Sequence, residues 1–388
     1  MDKQPGASIG QHFADLEDPR VERTKRHKLL DIIVVAICGI ICGADEWVSI
    51  QEFGEAKQVW FRGFLELPNG IPSHDTFGRV FGRLDPDQFH ACFMKWIMAV
   101  SELTKGQVIA IDGKTLRRSH DKALGKEAIV MVSAWATANH LVLGQLKVDD
   151  KSNEITAIPD LLQALDISGC IVTTDALGTQ KDVASLIVGG GGDYVLALKD
   201  NHPLLHEDVK LLFDDLEASR FRAYDYDRDR TVDKDHGRLE TRECWTIADP
   251  TVLRGLRGTQ EWDHLRSVVR IRAKRVLGDT ETVDDRYFLS SLEGEAEQML
   301  AAARSHWQVE NSLHWVLDIA FREDDSRVRK DHGAQNLATL RHIALNLLKQ
   351  ETTAKIGVKN KRLKAGWSEE YLLRALGGLF HQDAIALR

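Results

Sequence analysis

The chain of 388 residues contains no CxxC pair. Its 5 cysteines, Cys38, Cys42, Cys92, Cys170 and Cys244, are odd in number and scattered. That excludes a disulfide framework and a zinc knuckle, and points to buried thiols in a reducing compartment. Cys38 and Cys42 would share a helix face, but apolar neighbours argue against a metal role. No apolar run reaches the ~20 residues that a spanning helix needs. The best candidate, Leu29 to Gly43, follows a basic run as a signal segment would. Asp31 interrupts it and a mostly polar stretch from Met1 to Lys28 precedes it, so it reads as a buried core helix and the protein as cytoplasmic, without a membrane partner. The glycine run Gly189 to Gly192 has neither phosphate-loop spacing nor a following Lys-Ser/Thr, which excludes a nucleotide site of that kind. Repeats and low-complexity tracts are absent. An excess of positive charge is absent too: the formal net charge is -8. This is a weak objection to a nucleic-acid partner, because phosphate binding depends on local charge. Three stretches are locally basic: Arg20 to Lys28, Lys355 to Lys364, and the set Lys114, Arg117, Arg118, Lys122 and Lys126. What is present, 43% hydrophobic and 28% charged residues, suits a soluble globular chain of two or three domains.

Residues 1–20 read as a loose terminus. Helical periodicity dominates 21–104, with Ile33, Ile37, Ile40 and Ile41 on one face and Phe89, Phe93, Trp96 and Ile97 forming another stripe. Pro72 to Phe77 reads as a turn and N-cap. The texture changes at Gly106. Strands are expected over 107–111, 128–136 and 141–148, the last two joined by the turn 137–140. Asn153 then caps a helix to about Leu165. A strand over 170–174, a helix near 181–187 and a strand over 194–198 follow. Leu204–Leu216 reads as a helix, and 238–247, 266–276 and 285–292 as strands. After Glu293 a long helix runs to about Phe321. The order predicts an α/β chain: a ribonuclease-H-like mixed sheet over 105–214 and 293–350, a mostly β insertion over 215–292, a small helical domain in front, and a basic helical tail over 351–388.

Two aspartates sit at strand tips. Asp112 ends Val108-Ile109-Ala110-Ile111, and Asp175 ends Cys170-Ile171-Val172-Thr173-Thr174. The topology brings both to one sheet edge, where ligands of α/β sheets gather. Glu310 lies on the long helix. Two aspartates and a helical glutamate can hold two divalent ions about 4 Å apart, which clamp the attacking and leaving oxygens of a phosphodiester displacement. Hard carboxylate oxygens suit Mg²⁺. Any one of these acids alone is more often a solvated loop residue or a cap; the constellation carries the reading. Lys199 and Asn201 sit at the same edge, as phosphate contacts or as an ordinary turn. Lys114 and Arg117 follow the first aspartate closely and are candidate phosphate contacts. His236, Arg238 and Arg242 lie in the insertion, where Arg238, Glu240 and Arg242 share a strand face and equally suit cross-strand ion pairs. His306, Glu310 and His314 are spaced by four on one helix face. As a zinc site they are strained, because i and i+8 lie about 12 Å apart along a helix.

Ile111-Asp112-Gly113-Lys114, Thr174-Asp175-Ala176, Leu198-Lys199-Asp200-Asn201, the segment His236 to Arg242 and His306-Trp307-Gln308-Val309-Glu310-Asn311 together resemble DDE transposases of bacterial insertion sequences. The branch is the one that includes the H-repeat-associated proteins. Arg20 to Trp96 resembles that branch's amino-terminal domain, and the likeness spans roughly residues 15–375. It implies that Asp112, Asp175 and Glu310 are the catalytic and metal-binding triad, with two Mg²⁺ ions for which Mn²⁺ can substitute. It implies cleavage at the ends of an element, joining of a 3′-hydroxyl to target DNA, and at least a dimer on paired ends of double-stranded DNA near the nucleoid. Related transposases carry a Tyr-x2-Arg-x3-Glu-x6-Lys signature around the glutamate. Here those places hold Ala303, His306 and Leu317, and only Glu310 in its Trp-x-x-Glu context survives. His306 is then a candidate contact to DNA phosphate or to a carboxylate. Two other readings stay open: a metal-dependent nuclease that never joins ends, and a silent DNA-binding descendant.

Overall fold

A computed structural model describes residues 9–101, 105–120, 127–148, 154–235 and 238–377. The chain opens with helices α1 (Ile9–His12), α2 (Leu29–Ile41), α3 (Trp47–Ala56), α4 (Gln58–Phe61), α5 (His74–Arg83) and α6 (Pro86–Val100). From Asp31 onward every residue of α2 is buried. A helix apolar all round must be enclosed by others, as the uninterrupted Ile/Val content demands. Asp31 is tolerated there because its carboxylate accepts the Leu67 amide at 2.9 Å. Among the described residues no helix is long and apolar enough to cross a membrane.

The core follows as β1 (Val108–Thr115), β2 (Val130–Ala136), β3 (Leu141–Lys147), α7 (Glu154–Gln163), β4 (Ile171–Thr174), α8 (Lys181–Gly189), β5 (Asp193–Leu198) and α9 (Pro203–Ala218). Then come β6 (Asp227–Asp235), β7 (Arg238–Ile247), α10 (Pro250–Gly255), β8 (Ser267–Leu277) and β9 (Thr280–Ser290). The described residues end with α11 (Ala296–Val309), a π turn (Glu310–His314), α12 (Trp315–Ala320), α13 (Gly333–Gln350), α14 (Val358–Trp367) and α15 (Glu369–Ala375). All strands join one sheet of order β3-β2-β1-β4-β5-β9-β8-β7-β6. The first five, a three-strand antiparallel meander followed by two parallel strands, form the ribonuclease-H-like half that the sequence predicts.

Three details add to the sequence reading. β1 does not stop at Asp112: it stays paired with β2 to Thr115, and only its β4 side ends at Ile111. The β strands of 227–290, within the expected mostly β insertion over 215–292, continue the core sheet, because β9 pairs with β5. β6 was not legible, since Asp227–Asp235 is a charged run without apolar alternation. It is an edge strand, where charge discourages pairing with other chains. The expected cap Asn153 lies outside the described residues.

Helix α11 crosses one sheet face. Its Ala296, Met299, Leu300, Ala302 and Ala303 pack on Val108, Ile171, Val195, Ile271 and Phe288. The opposite face belongs to a larger core continuous with the amino-terminal helices and α13. At the β3 edge, Asn346 of α13 exchanges two hydrogen bonds with the Val142 backbone, at 2.8 and 2.9 Å. Arg362 of α14 donates to the carbonyls of Ile40 and Ala320 and pairs with Asp45 at 2.5 Å. It thereby satisfies the C-terminal carbonyls of α2 and α12, which helices leave without partners.

Candidate active site

β1 and β4 are parallel, with Ala110 opposite Thr173 and Ile111 opposite Thr174. Asp112 and Asp175 are the next residue on each strand. Both strands are buried up to the aspartates, as strands covered on two faces are, and exposure begins there. The Gly113 amide donates to Asp112 Oδ1 at 3.0 Å. Asp175 Oδ1 accepts the Gly178 amide at 3.1 Å, a turn typical of Asp. A side chain at Gly178 would meet Thr174 Cβ at 2.7 Å and Ile158 Cδ1 at 2.9 Å, so only glycine fits this turn.

The packing of α11 on the sheet delivers Glu310 from the other side. One donor atom each of Asp112, Glu310 and His314 lie within 4.8 Å of one another. His314 Nδ1 is 3.6 Å from Asp112 Oδ2 and 3.3 Å from Glu310 Oε2. Glu310 is exposed and His314 buried. Burial, and next the Lys114 ammonium, hold His314 below the usual imidazole value. Carboxylate oxygens and a neutral imidazole are cation ligands, so the residues present fit a divalent ion. Asp175 stands at the neighbouring strand tip, outside that group of three.

Beneath the group lies a buried ion-pair cluster. Lys114 donates to Asp318 Oδ1 at 2.6 Å and to Glu323 Oε2 at 2.9 Å. Burial lowers the Lys114 pKa, but Glu323 and Asp318 more than offset that and raise it. Lys114, expected as a phosphate contact, therefore has its charge matched inside the protein. Arg117 is exposed and 3.2 Å from Asp324. Arg118 lies 3.8 Å from Asp325.

On the other side of Asp175 opens a cavity of about 490 Å³ whose lining includes Lys199, Arg286, His306 and Trp307. Lys199 is exposed at its rim. The Arg286 guanidinium lies 4.4 Å over the Trp307 ring. His306 Nδ1 is 3.0 Å from Thr173 Oγ1, and burial pushes its pKa down to about 4. Asn201 Nδ2 donates to the carbonyls of Ala176 and Thr179, at 2.6 and 3.2 Å, so it ties down the loop that carries Asp175.

The remaining expected contacts lie elsewhere. Arg238 and Arg242 form the ion pairs their spacing allowed: Arg238 with Glu240 at 3.4 Å, and Arg242 with Glu240 at 2.8 Å and Asp233 at 2.6 Å. His236, Lys122 and Lys126 lie outside the described residues. In the amino-terminal basic run, Arg20 pairs with Asp18 at 2.6 Å, and in the carboxy-terminal one Lys361 and Arg362 are buried. The sequence reading missed Arg286, Asp318 and Glu323. The Trp-x-x-Glu context pointed at Trp307, but nothing local marks Arg286, which reaches the cavity only through the β5–β9 pairing.

Residues 103–347 match the family described as transposase DDE domain, and residues 10–97 the one described as DDE_Tnp_1-associated. The chain is 39% identical over 372 residues to the H repeat-associated putative transposase YhhI of Escherichia coli strain K12, covering 95% of this chain and 97% of that protein. It is also 39% identical to the putative transposase YncI of Escherichia coli O157:H7, over 95% and 94% of the two chains. Among solved structures, the piggyBac transposase synaptic complex with hairpin DNA covers 97% of this chain and 77% of that one. At 11% identity and a TM-score of 0.41, that likeness carries no argument.

Proposed function

This chain belongs to the DDE-type transposases of bacterial insertion sequences, and from that membership we propose that it cuts DNA at the ends of its element and joins the freed 3′-hydroxyl to target DNA. The observation that supports it most is the convergence of Asp112, from the sheet, and Glu310, from the helix across it, within 4.8 Å, beside the strand tip that carries Asp175. Asp112, Asp175 and Glu310 are the residues we assign to holding two divalent ions, Mg²⁺ or Mn²⁺. Bound there, such ions supply charge stabilisation at the attacking and leaving oxygens.

The chain's own residues supply position. The parallel register of β1 and β4 puts the two aspartates at neighbouring strand ends, and α11 carries Glu310 to Asp112. Cleavage forms a bond between a water oxygen and phosphorus and breaks the bond to the 3′ oxygen; the attacking water gives up one proton to solvent and the leaving 3′ oxygen takes one up, departing as a hydroxyl. Joining repeats the displacement with that hydroxyl as nucleophile: its oxygen bonds to a target phosphorus and the target's 3′ oxygen departs with the proton. Arg117, Lys199 and His306, around the same edge, are proposed to contact the DNA backbone. Lys114 is proposed to act through Asp318 and Glu323, as a prop beneath the site. Work on two element ends calls for at least two protomers.

The test is Mg²⁺-dependent cleavage and joining of duplex DNA taken from the repeats flanking the gene, with Glu310→Gln as control. A strand-transfer product from the wild type, absent from the variant, is the expected result. Cleavage without joining indicates a nuclease. Binding without cleavage in Mg²⁺ and in Mn²⁺ indicates a silent DNA-binding descendant and refutes the proposal.

A further inference from the structure

We propose that His314 is itself a metal ligand, through Nδ1, and that with Asp112 and Glu310 it forms a mixed nitrogen–oxygen site that selects Mn²⁺ over Mg²⁺. The inference rests on the reading of Asp112 and Glu310 as metal-binding residues, and goes beyond it by adding a ligand and a selectivity.

Geometry supports it first. The three donors lie within 4.8 Å of one another, with Nδ1 3.3 Å from Glu310 Oε2 and 3.6 Å from Asp112 Oδ2. Donors held about 2.1 Å from a cation lie about 3–4 Å from each other. A charge-assisted hydrogen bond between nitrogen and carboxylate would be shorter, about 2.7–2.9 Å. At 3.3 Å the Nδ1–Glu310 contact is within hydrogen-bond reach, but the 3.6 Å approach to Asp112 Oδ2 is too long for one, and a shared cation accounts for both.

The setting of the ring supports it second. His314 is only 5% exposed, and Nδ1 is aimed at the two carboxylates. Its other nitrogen, Nε2, has no hydrogen-bond partner among the described residues. The ring lines a small internal cavity with Lys114, Gln145, Glu323 and His342, and Glu323 Oε1 also lacks a hydrogen-bond partner there. Metal-bound histidines direct their second nitrogen at a carboxylate, carbonyl or water that fixes the ring, and Glu323 is a carboxylate that lines the same small cavity.

The backbone supports it third. Glu310–His314 is a π turn between two α-helices, and π turns are uncommon and concentrate at functional sites. The two proposed ligands are its first and last residues.

The consequence is selectivity. Carboxylates alone suit Mg²⁺, whereas an imidazole shifts a site toward transition-metal ions. The experiment uses the full chain with Mn²⁺ as the probe. Binding is followed by the loss of the free-Mn²⁺ resonance, and coordination by pulsed paramagnetic resonance. The expected result is a directly bonded ¹⁴N coupling that changes to the ¹⁵N pattern in protein labelled with ¹⁵N-histidine. The coupling disappears in His314→Gln and persists in His306→Gln. Mn²⁺ affinity falls about 10-fold or more in His314→Gln, and excess Mg²⁺ displaces Mn²⁺ poorly from the wild type. The labelling arm needs no substitution, so a variant that fails to fold does not spoil the test. Mn²⁺ bound with oxygen coupling only, or a nitrogen coupling that survives His314→Gln, overturns the assignment of His314 and leaves the metal reading of Asp112 and Glu310 intact. No Mn²⁺ binding by the wild type overturns both.

Discussion

Lys114 illustrates how burial decides what a charged residue does. Its side chain is 11% exposed and is shared between Asp318 and Glu323. Removing one partner of a buried pair strands the other charge, at a cost of about 3–5 kcal/mol. Lys114→Ala should lower the unfolding free energy by about that much in urea titrations, and adding Glu323→Gln should recover part of it. A surface phosphate contact would lose less than about 0.5 kcal/mol on the same change. Acid sensitivity has two sources at this scale. Burial pushes His342 down to about 3, so it stays neutral in the fold while the unfolded chain takes up a proton below about pH 6.5. Stability should therefore fall as pH drops from about 6.5 toward 3, by about 2 kcal/mol at pH 5 from this residue. Burial raises the Glu323 pKa, but Lys114 and Arg341 more than offset it and hold the carboxyl low. A depressed carboxylate stabilises above its unfolded value of about 4.3 and loses that contribution as pH falls through the folded value. Denaturation curves at several pH values should show the upper window flattened in His342→Gln and the lower one retained.

Element by element, the sheet was legible where residues announce it. Val108–Ile111 is an apolar run and Ile171–Thr174 a β-branched one, each bounded by an aspartate, and both became buried parallel strands. β6 was not legible, because Asp227–Asp235 owes its strand to the ladder with β7 and not to an apolar face. The continuation of β1 past Asp112 has the same cause: Gly113-Lys114-Thr115 is held by β2. For the site, the sequence marks Asp112, Asp175 and Glu310, but not the contact of His314 with Asp112 or the closure of Lys114 by Asp318 and Glu323, which depend on where α12 and α13 dock. The π turn was likewise invisible, since spacing arguments assume a regular helix. It suggests a direct test. Deleting Asn311 should let the turn relax to a regular helix with stability equal to or above the wild type. Cleavage should nonetheless fall about 100-fold or more, because misplacement by about 1 Å can cost that much. A deletion that lowers stability and activity in parallel would show that the turn is only structural.

At the scale of the whole molecule, the amino-terminal helices are not an appendage. Their core is continuous with that of the sheet, and Arg362 stitches α2 to the end of α12. Removal of residues 1–101 would uncover the buried face of α13 and leave Arg362 without its Ile40 and Asp45 partners. The truncated chain should bind hydrophobic dyes and aggregate, while the full chain unfolds with its helical and sheet signals coincident; a soluble, cooperative truncated chain would contradict this. The central claim at this scale is that three acids from two strands and a crossing helix act as one unit. Residues that act as a unit are non-additive: removing a second costs little more than removing the first. The most direct measurement is therefore strand transfer by Asp112→Asn, Asp175→Asn, Glu310→Gln and their double variants, on element-end DNA in Mg²⁺ and in Mn²⁺, with folding checked by thermal melting. The account predicts that each single variant loses both cleavage and joining while staying folded, and that the doubles are no worse. Retained strand transfer in Asp175→Asn, the acid that stands outside the group of three, would contradict it.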